Sequence, residues 1–385
     1  MRAVYFSKTS DIGPSSRYRI YQYLPYLQRM GHRIEIRPLF GPAYFRLLVW
    51  PSLIRLFATM IYVVMRFAKR MIDVMTVGKA DLLVIEGQLF PYMGVMAERM
   101  LTKRYKVIVE LDDAIYLTYR HERKIPALLR MSSGAIVGNH TLADYAGRYQ
   151  PNVRMIPTVV DIERFRPLER TDPGGRFRPE NDSNLAIVWI GLDYNVSFLD
   201  LLLPALQRLQ KEHRTTVRII SSRRYSLPGV KTEFRPWSFE TEVADLQGSD
   251  IGIMPLPDTE WARGKCGLKL LQYMAVGIPC IASPVGVNRN IIVDGHNGFV
   301  AATEEEWYGR LLALCRDPTL RLRIGAAGRA TVESEYSLQA WAPRLADAYR
   351  AMAGIPYAAA AGMADSGTFP GTSLADRSRW LHRNS

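Results

Sequence analysis

The sequence has 385 residues, enough for two domains with complete cores, and its formal net charge of +13 points to anionic partners: nucleic acid, acidic lipid headgroups or phosphorylated small molecules. Its three cysteines, Cys266, Cys280 and Cys315, lie too far apart for a zinc-ligand pattern, and their odd number offers no disulfide framework, so a reducing cytoplasm is the expected home. The start, MRAVYFSK, runs directly into an apolar strand without the charged segment, apolar core and cleavage site of a signal peptide.

Residues 2–6 read as a strand, followed by the turn-rich DIGPSS, a helical run over 16–30 closed by Gly31, and a second strand over 32–37. Further strands are expected at 81–85, 106–111, 135–138 and 153–156, with helical segments between them. Repeated strand, helix, strand units favour a parallel sheet, so residues 1–168 are expected to form a doubly wound α/β domain. An insertion at 43–77 interrupts the rhythm. Its apolar residues extend nearly all round a helix, leaving Arg55, Thr59, Tyr62, Arg66, Lys69, Arg70 and Asp73 as a narrow polar stripe. The charge-free run 56–65 falls short of the roughly 20 residues that span a bilayer. Two readings stay open: a helix in the membrane interface with arginines at headgroup level, or a core helix pair.

Composition shifts to Pro, Gly, Arg and Asp over 169–184, which reads as a linker. Alternation restarts over 185–336, with strands at 185–191, 217–221, 232–235 and 250–254. The stretch WARGKCGLKLLQYMAVGIPCIASPVG, residues 261–286, reads as loop, helix, Gly turn, buried strand and second Gly turn. Lys265, Lys269 and Gln272 fall on one side of that helix start, where two lysines and free amides suit a diphosphate. An ordinary solvated surface helix is the alternative. Helices are expected at 304–315, 320–333 and 337–352, and the Ala-, Gly- and Ser-rich tail 353–385 is expected to be disordered.

Ligands of such sheets bind outside the carboxyl ends of the strands, so the loops there carry the candidates. No GxGxxG follows the first strand, and Gly264-Lys265-Cys266 fails the P-loop pattern because Thr259 occupies its first glycine position. This counts against a dinucleotide dehydrogenase and a P-loop NTPase. Asp112 and Asp113 end a strand and can bind metal, hold sugar hydroxyls or exchange protons; alternatively, one caps a segment and the other is solvated. His121 and His140 are acid-base candidates or structural side chains. No basic stripe interleaved with aromatics supports nucleic-acid binding.

From VYFSKTSDIGPSSRYRIYQYLPYLQRMGHRIEI through VIVELDDAIY, AIVGNHTLADYA and IPTVVDIERFRP to LKLLQYMAVGIPCIASPVGVNRNIIVDGHNGFV, the chain resembles family 4 glycosyltransferases. The resemblance implies the GT-B fold: two Rossmann-like doubly wound domains facing each other across a cleft, the last helix crossing back to the first domain. It implies a retaining, hexosyltransferase-like enzyme that takes a nucleotide-sugar donor in the second domain and a saccharide or lipid-linked acceptor in the first, with no metal or other cofactor. The two motif glutamates of the family fall on Gly264 and Gln272, its strand-end histidine on Asp112, and of its first glycine-rich loop only Gly13 remains, beside Pro14. Its Arg and Lys after the first strand of the second domain are missing from GLDYNVSF.

Lys265, Lys269 and Asp112 are therefore the expected catalytic residues. Gly13, Gly191, Arg263, Lys265, Gly267, Lys269 and Gln272 are expected to hold the donor. A sugar-nucleotide epimerase and an inactive nucleotide-sugar or partner-binding protein are the alternatives. The basic charge and the 43–77 insertion suit polysaccharide or glycolipid synthesis at the anionic inner face of a membrane.

Overall fold

The computed structural model describes residues 1–47, 52–168 and 184–356. The first sheet contains β1 (Arg2–Phe6), β2 (Arg33–Ile36), β3 (Leu82–Glu86), β4 (Val107–Leu111), β5 (Gly134–Val137) and β6 (Val153–Met155). The second contains β7 (Leu185–Ile190), β8 (Thr215–Ser221), β9 (Thr232–Pro236), β10 (Ile251–Met254), β11 (Cys280–Ala282) and β12 (Phe299–Val300). Their orders are β2-β1-β3-β4-β5-β6 and β12-β11-β10-β7-β8-β9, and all the described strand pairings are parallel. Central strands such as Leu82–Glu86 are buried throughout because helices cover both faces of the sheet. Alternate residues split between the two layers: Ala3 and Tyr5 join one core, and Val4 and Phe6 the other. The order reverses between β1 and β3 and between β7 and β10, which opens a crevice at the carboxyl ends of those strands.

The helix Leu338–Ala353 follows the second domain in sequence but packs into the first. Val160 and Leu338 exchange backbone contact where the chain crosses, the Leu338 N–H donating to the Val160 carbonyl at 2.9 Å. Leu338, Leu345 and Tyr349 then share a core with Tyr5, Val84 and Ile108. The first domain's core is therefore completed only when the C-terminal helix has docked.

Local structure departs from the sequence expectation at three places. The single helix expected over 16–30 is broken at Ile20 into Pro14–Arg19, a 3₁₀ turn Tyr21–Tyr23, and Leu24–Arg29. Pro25 lacks an amide hydrogen and starts a new helix more readily than it continues one. The break leaves Arg17, Tyr18 and Arg19 buried. Strand β12, only two residues long, carries no periodic signal and was not expected. Third, the insertion forms a 24-residue helix, Ser52–Met75, whose stripe residues Tyr62, Arg66, Arg70 and Asp73 face the domain while Arg55 and Lys69 stay exposed. Arg66 donates to the carbonyls of Leu39 and Pro38 at 2.6 and 2.7 Å, and Arg70 to that of Ser7 at 2.6 Å. These arginines anchor the helix to the protein instead of reaching headgroup level. Nor is the helix a core pair, because much of its apolar side is exposed. Residues 169–183 of the expected linker and 357–385 of the expected tail lie outside the described residues.

Candidate active site in the interdomain cleft

The domains meet along a closed seam at the carboxyl ends of β4 and β5. Asn139 Nδ2 donates to the carbonyls of Gly264 and Lys265 at 2.8 and 3.1 Å, and the Cys266 thiol donates to the Asp112 carbonyl at 3.0 Å. Two glycines allow this approach. A Cβ on Gly138 would stand 2.4 Å from Cys266 Sγ, and one on Gly264 would stand 2.6 Å from Ala114 Cβ. Cys266 is thus occupied in the seam, and burial followed by the Asp112 charge pushes its thiol up to about 12, where it carries no thiolate at neutral pH.

Beside the seam, the helix Leu268–Ala275 begins at Gly267, whose φ of +72° favours glycine and which provides no side-chain cap. Its first amides are those that the sequence reading assigned to a diphosphate. Lys269 runs along this end. Its Nζ lies 5.2 Å from the Trp189 ring centroid, and a Cβ on Gly191 would come within 2.8 Å of Lys269 Cε. Gly191 therefore leaves the slot that the lysine stem fills. Lys265 is buried, with Nζ 5.8 Å from the Trp261 ring centroid.

Asp113 of the first domain faces these cations, with Asp112 and Glu86 beside it. Burial, then the neighbouring Asp112 charge, pushes Asp113 up to about 6, while Lys265, Lys8 and Lys269 pull it down. Glu86, at the end of β3, is pushed up to about 7 by burial and then by Asp112; Ser16 Oγ and the Lys8 amide donate to its Oε2 at 2.7 and 3.0 Å. Lys269 is lowered to about 7, by burial first and by Lys265 second, with Asp113 opposing. The site thus holds groups that exchange protons near neutrality, because burial disfavours the charged form of each. Tyr194, from the segment after β7, lies near these carboxylates with its side chain largely exposed.

Lys265, Lys269, Asp112, Gly191 and Gly267 therefore converge on one cleft. Arg263 does not join them: its exposed guanidinium pairs with Asp258 at 2.7 Å and is held at the surface. Gln272 is buried and donates to the Tyr18 hydroxyl at 3.0 Å, so it ties the domains together and its amide nitrogen is already engaged. Gly13 closes the loop after β1, where a Cβ would stand 1.9 Å from Thr9 Oγ1. His121 is held by Gln88, Thr118 and the Ile115 carbonyl, and burial lowers its pKa; His140 is exposed at the start of the helix His140–Gly147. Neither histidine is among the convergent groups. Sequence reading passed over Glu86, Trp189, Tyr18 and Tyr194. Only Glu86 carried a signal, as an acid ending the otherwise apolar β3, LLVIE.

Residues 184–317 match the family described as Glycosyl transferases group 1. The matched segment includes β7, β10, Trp189 and both cleft lysines. A D-inositol 3-phosphate glycosyltransferase from Frankia alni is 28% identical over 203 residues, covering 46% of this chain and 48% of that protein, so the match spans about half of the relative. Among solved structures, sucrose-phosphate synthase from Thermosynechococcus elongatus matches with TM-score 0.64 at 14% identity, over 91% of this chain and 99% of that one. HepE from Anabaena in complex with UDP-glucose matches with TM-score 0.62 at 14% identity, over 90% and 98%. A glycosyltransferase from Rickettsia africae matches with TM-score 0.65 at 14% identity, over 91% and 98%. These structures share the fold. The chain has the GT-B fold, with the segment similar to group 1 glycosyl transferases behind the cleft.

Proposed function

We propose that the protein is a retaining glycosyltransferase that moves a hexose-type sugar from a nucleotide-sugar donor to a saccharide or lipid-linked acceptor. The observation that carries this reading is the placement of Lys265 and Lys269 beside the uncapped start of Leu268–Ala275, inside the segment similar to group 1 glycosyl transferases. Preorganised cations and amides stabilise charge that develops on a departing diphosphate. The anomeric C–O bond to the diphosphate breaks, the acceptor oxygen forms the new bond on the same face, and its proton passes to the leaving diphosphate oxygen. No protein nucleophile is required, and the lysines take the neutralising part that a metal would otherwise supply. The setting is polysaccharide or glycolipid assembly, with the protein working peripherally on the inner face of a membrane.

HepE contains UDP-glucose in its solved structure, which makes uridine sugars the first donors to test. A ligand that binds only the folded state at about 100 times its Kd adds about 2.7 kcal/mol of stability. A saturable rise in Tm with one nucleotide sugar is the expected result; no rise across uridine, guanosine, adenosine and thymidine diphosphate sugars overturns the reading. A second reading, a nucleotide-sugar binder without turnover, draws on the closed contact of Gly264 with Ala114, which leaves no room for the family's carboxylate. It predicts the same Tm rise with no nucleoside diphosphate released in the presence of any acceptor.

Proton linkage gives an independent check. A bound diphosphate favours protonated Lys269 and neutral Asp113 and Glu86, whose pKa values are about 7, 6 and 7. All three groups take up protons in the same direction, so UDP affinity should weaken as pH rises from about 6 to about 8, by about tenfold per pH unit for each proton taken up. Calorimetry in two buffers of different ionisation enthalpy should register net proton uptake. Proton release on binding would remove these groups from the donor site.

A further inference from the structure

The helix Ser52–Met75 is turned inside out relative to a normal surface helix. Its polar side points into the protein: Tyr62 Oη accepts from the Gly41 amide at 3.0 Å, Arg66 and Arg70 are spent on backbone carbonyls, and Asp73 pairs with Lys69 at 2.9 Å. Its opposite side is apolar and open to solvent. Phe57, Met60, Ile61, Val64, Ile72 and Met75 are each more than half exposed. These positions recur at three- and four-residue steps and so form one stripe along the helix. The neighbouring segment extends the surface with exposed Tyr92, Met93, Met96 and Met100. A continuous patch of this kind marks an interaction site.

Charge identifies what covers it. Between residues 42 and 106, Asp73, Glu86 and Glu98 are buried and Asp81 is the one exposed carboxylate among the described residues. Over the same span Arg46, Lys79, Arg99, Lys103 and Arg104 are exposed. A second copy docked through this face would bring cations against cations. Acidic lipid headgroups pair with the cations while the acyl boundary receives the apolar stripe. No described helix is long and apolar enough to cross a membrane, and 24 residues make a rod of about 36 Å that suits lying in the interface. The helix is also fixed to the cleft. Arg70 donates to the carbonyl of Ser7, the residue that follows β1 and begins the cleft loop, and its guanidinium lies 5.2 Å from the Phe6 ring centroid.

We infer that the outward face of Ser52–Met75, continued by Tyr92–Met100, is a docking surface for an anionic lipid bilayer, which it holds next to the acceptor side of the cleft. The inference rests on the peripheral part of the function proposed above. The test is co-sedimentation of the whole protein with vesicles of equal phosphatidylglycerol and phosphatidylcholine, and with pure phosphatidylcholine, at low salt. Wild type should pellet with the acidic vesicles. The triple variant Phe57→Glu, Ile61→Glu, Val64→Glu alters only exposed positions; it should lose at least about tenfold in partitioning, with Tm and the Kd for UDP unchanged. Absence of wild-type binding overturns the inference. So does unchanged binding by the triple variant, which would assign the membrane contact to another surface. Wild-type self-association that the triple variant abolishes, without vesicle binding, would give the face to a second copy and likewise overturn it. Transfer to a water-soluble acceptor does not need the bilayer, so loss of vesicle binding with intact transfer leaves the enzymatic reading standing.

Discussion

Lys269→Met is expected to lower kcat/KM for sugar transfer by about a hundredfold, the loss typical of removing one preorganised stabilising group from a charged transition state. Stability should move little, or rise. The lysine stem lies over Trp189 in the slot left by Gly191, and a methionine of similar length keeps that packing. Burial and Lys265 already disfavour the charged ammonium, so removing it relieves strain in the empty site. Lys269→Ala should show the same kinetic loss with a further stability loss from the emptied slot. The two variants therefore separate charge from packing. Steady-state kinetics beside Tm provides the check, and turnover near wild type in a folded Met variant would remove Lys269 from the mechanism.

Restoring the family's glutamate by Gly264→Glu is expected to cost about 1–3 kcal/mol, the usual penalty for overpacking a closed contact. Gly264 has an ordinary φ of −75°, so its backbone accepts any residue and only space forbids one. The new Cβ would stand 2.6 Å from Ala114 Cβ and 3.0 Å from the Ala114 amide nitrogen. Since Asn139 grips the Gly264 carbonyl, the seam must widen, and KM for the donor should rise as Lys265 and Lys269 move from their first-domain partners. Urea titration measures the stability loss. Adding Ala114→Gly should recover part of it, with an interaction energy of about 0.5 kcal/mol or more in the double-mutant cycle. A Gly264→Glu protein as stable as wild type and more active would mean that the working enzyme does not hold this seam closed.

The fold was legible because its signals are local and strong. Apolar runs such as LLVIE and VIVEL end at polar loops, and helical stretches separate them, which is enough to define parallel strands and crossovers. The lysines at the helix start were legible for the same reason, since their spacing puts them on one side of a single element. Arg263 looked equivalent to them along the sequence. Its removal from the site depends on Asp258, five residues earlier, turning the guanidinium outward. Gln272 likewise looks free along the sequence, and in the fold its amide nitrogen is taken up by Tyr18 of the other domain.

Helical periodicity also identified the polar and apolar sides of the insertion, but it could not orient them. A stripe of arginine, tyrosine and aspartate reads as the solvent side unless backbone carbonyls are placed within its reach, and those of Ser7, Pro38 and Leu39 come from loops distant in sequence.

The amino-acid sequence by itself determined the two α/β domains, the loops that face the cleft and the cations available to a diphosphate, because periodicity, turn residues and helix-start spacing act within a few residues. Tertiary structure alone decided which of those groups meet. It closed Gly264 against Ala114, placed Asp113 near Lys269 and Glu86 near Asp112, and turned the Ser52–Met75 helix apolar side out. These outcomes depend on contacts between segments far apart in the chain, where desolvation and steric exclusion are set by the neighbour and not by the residue.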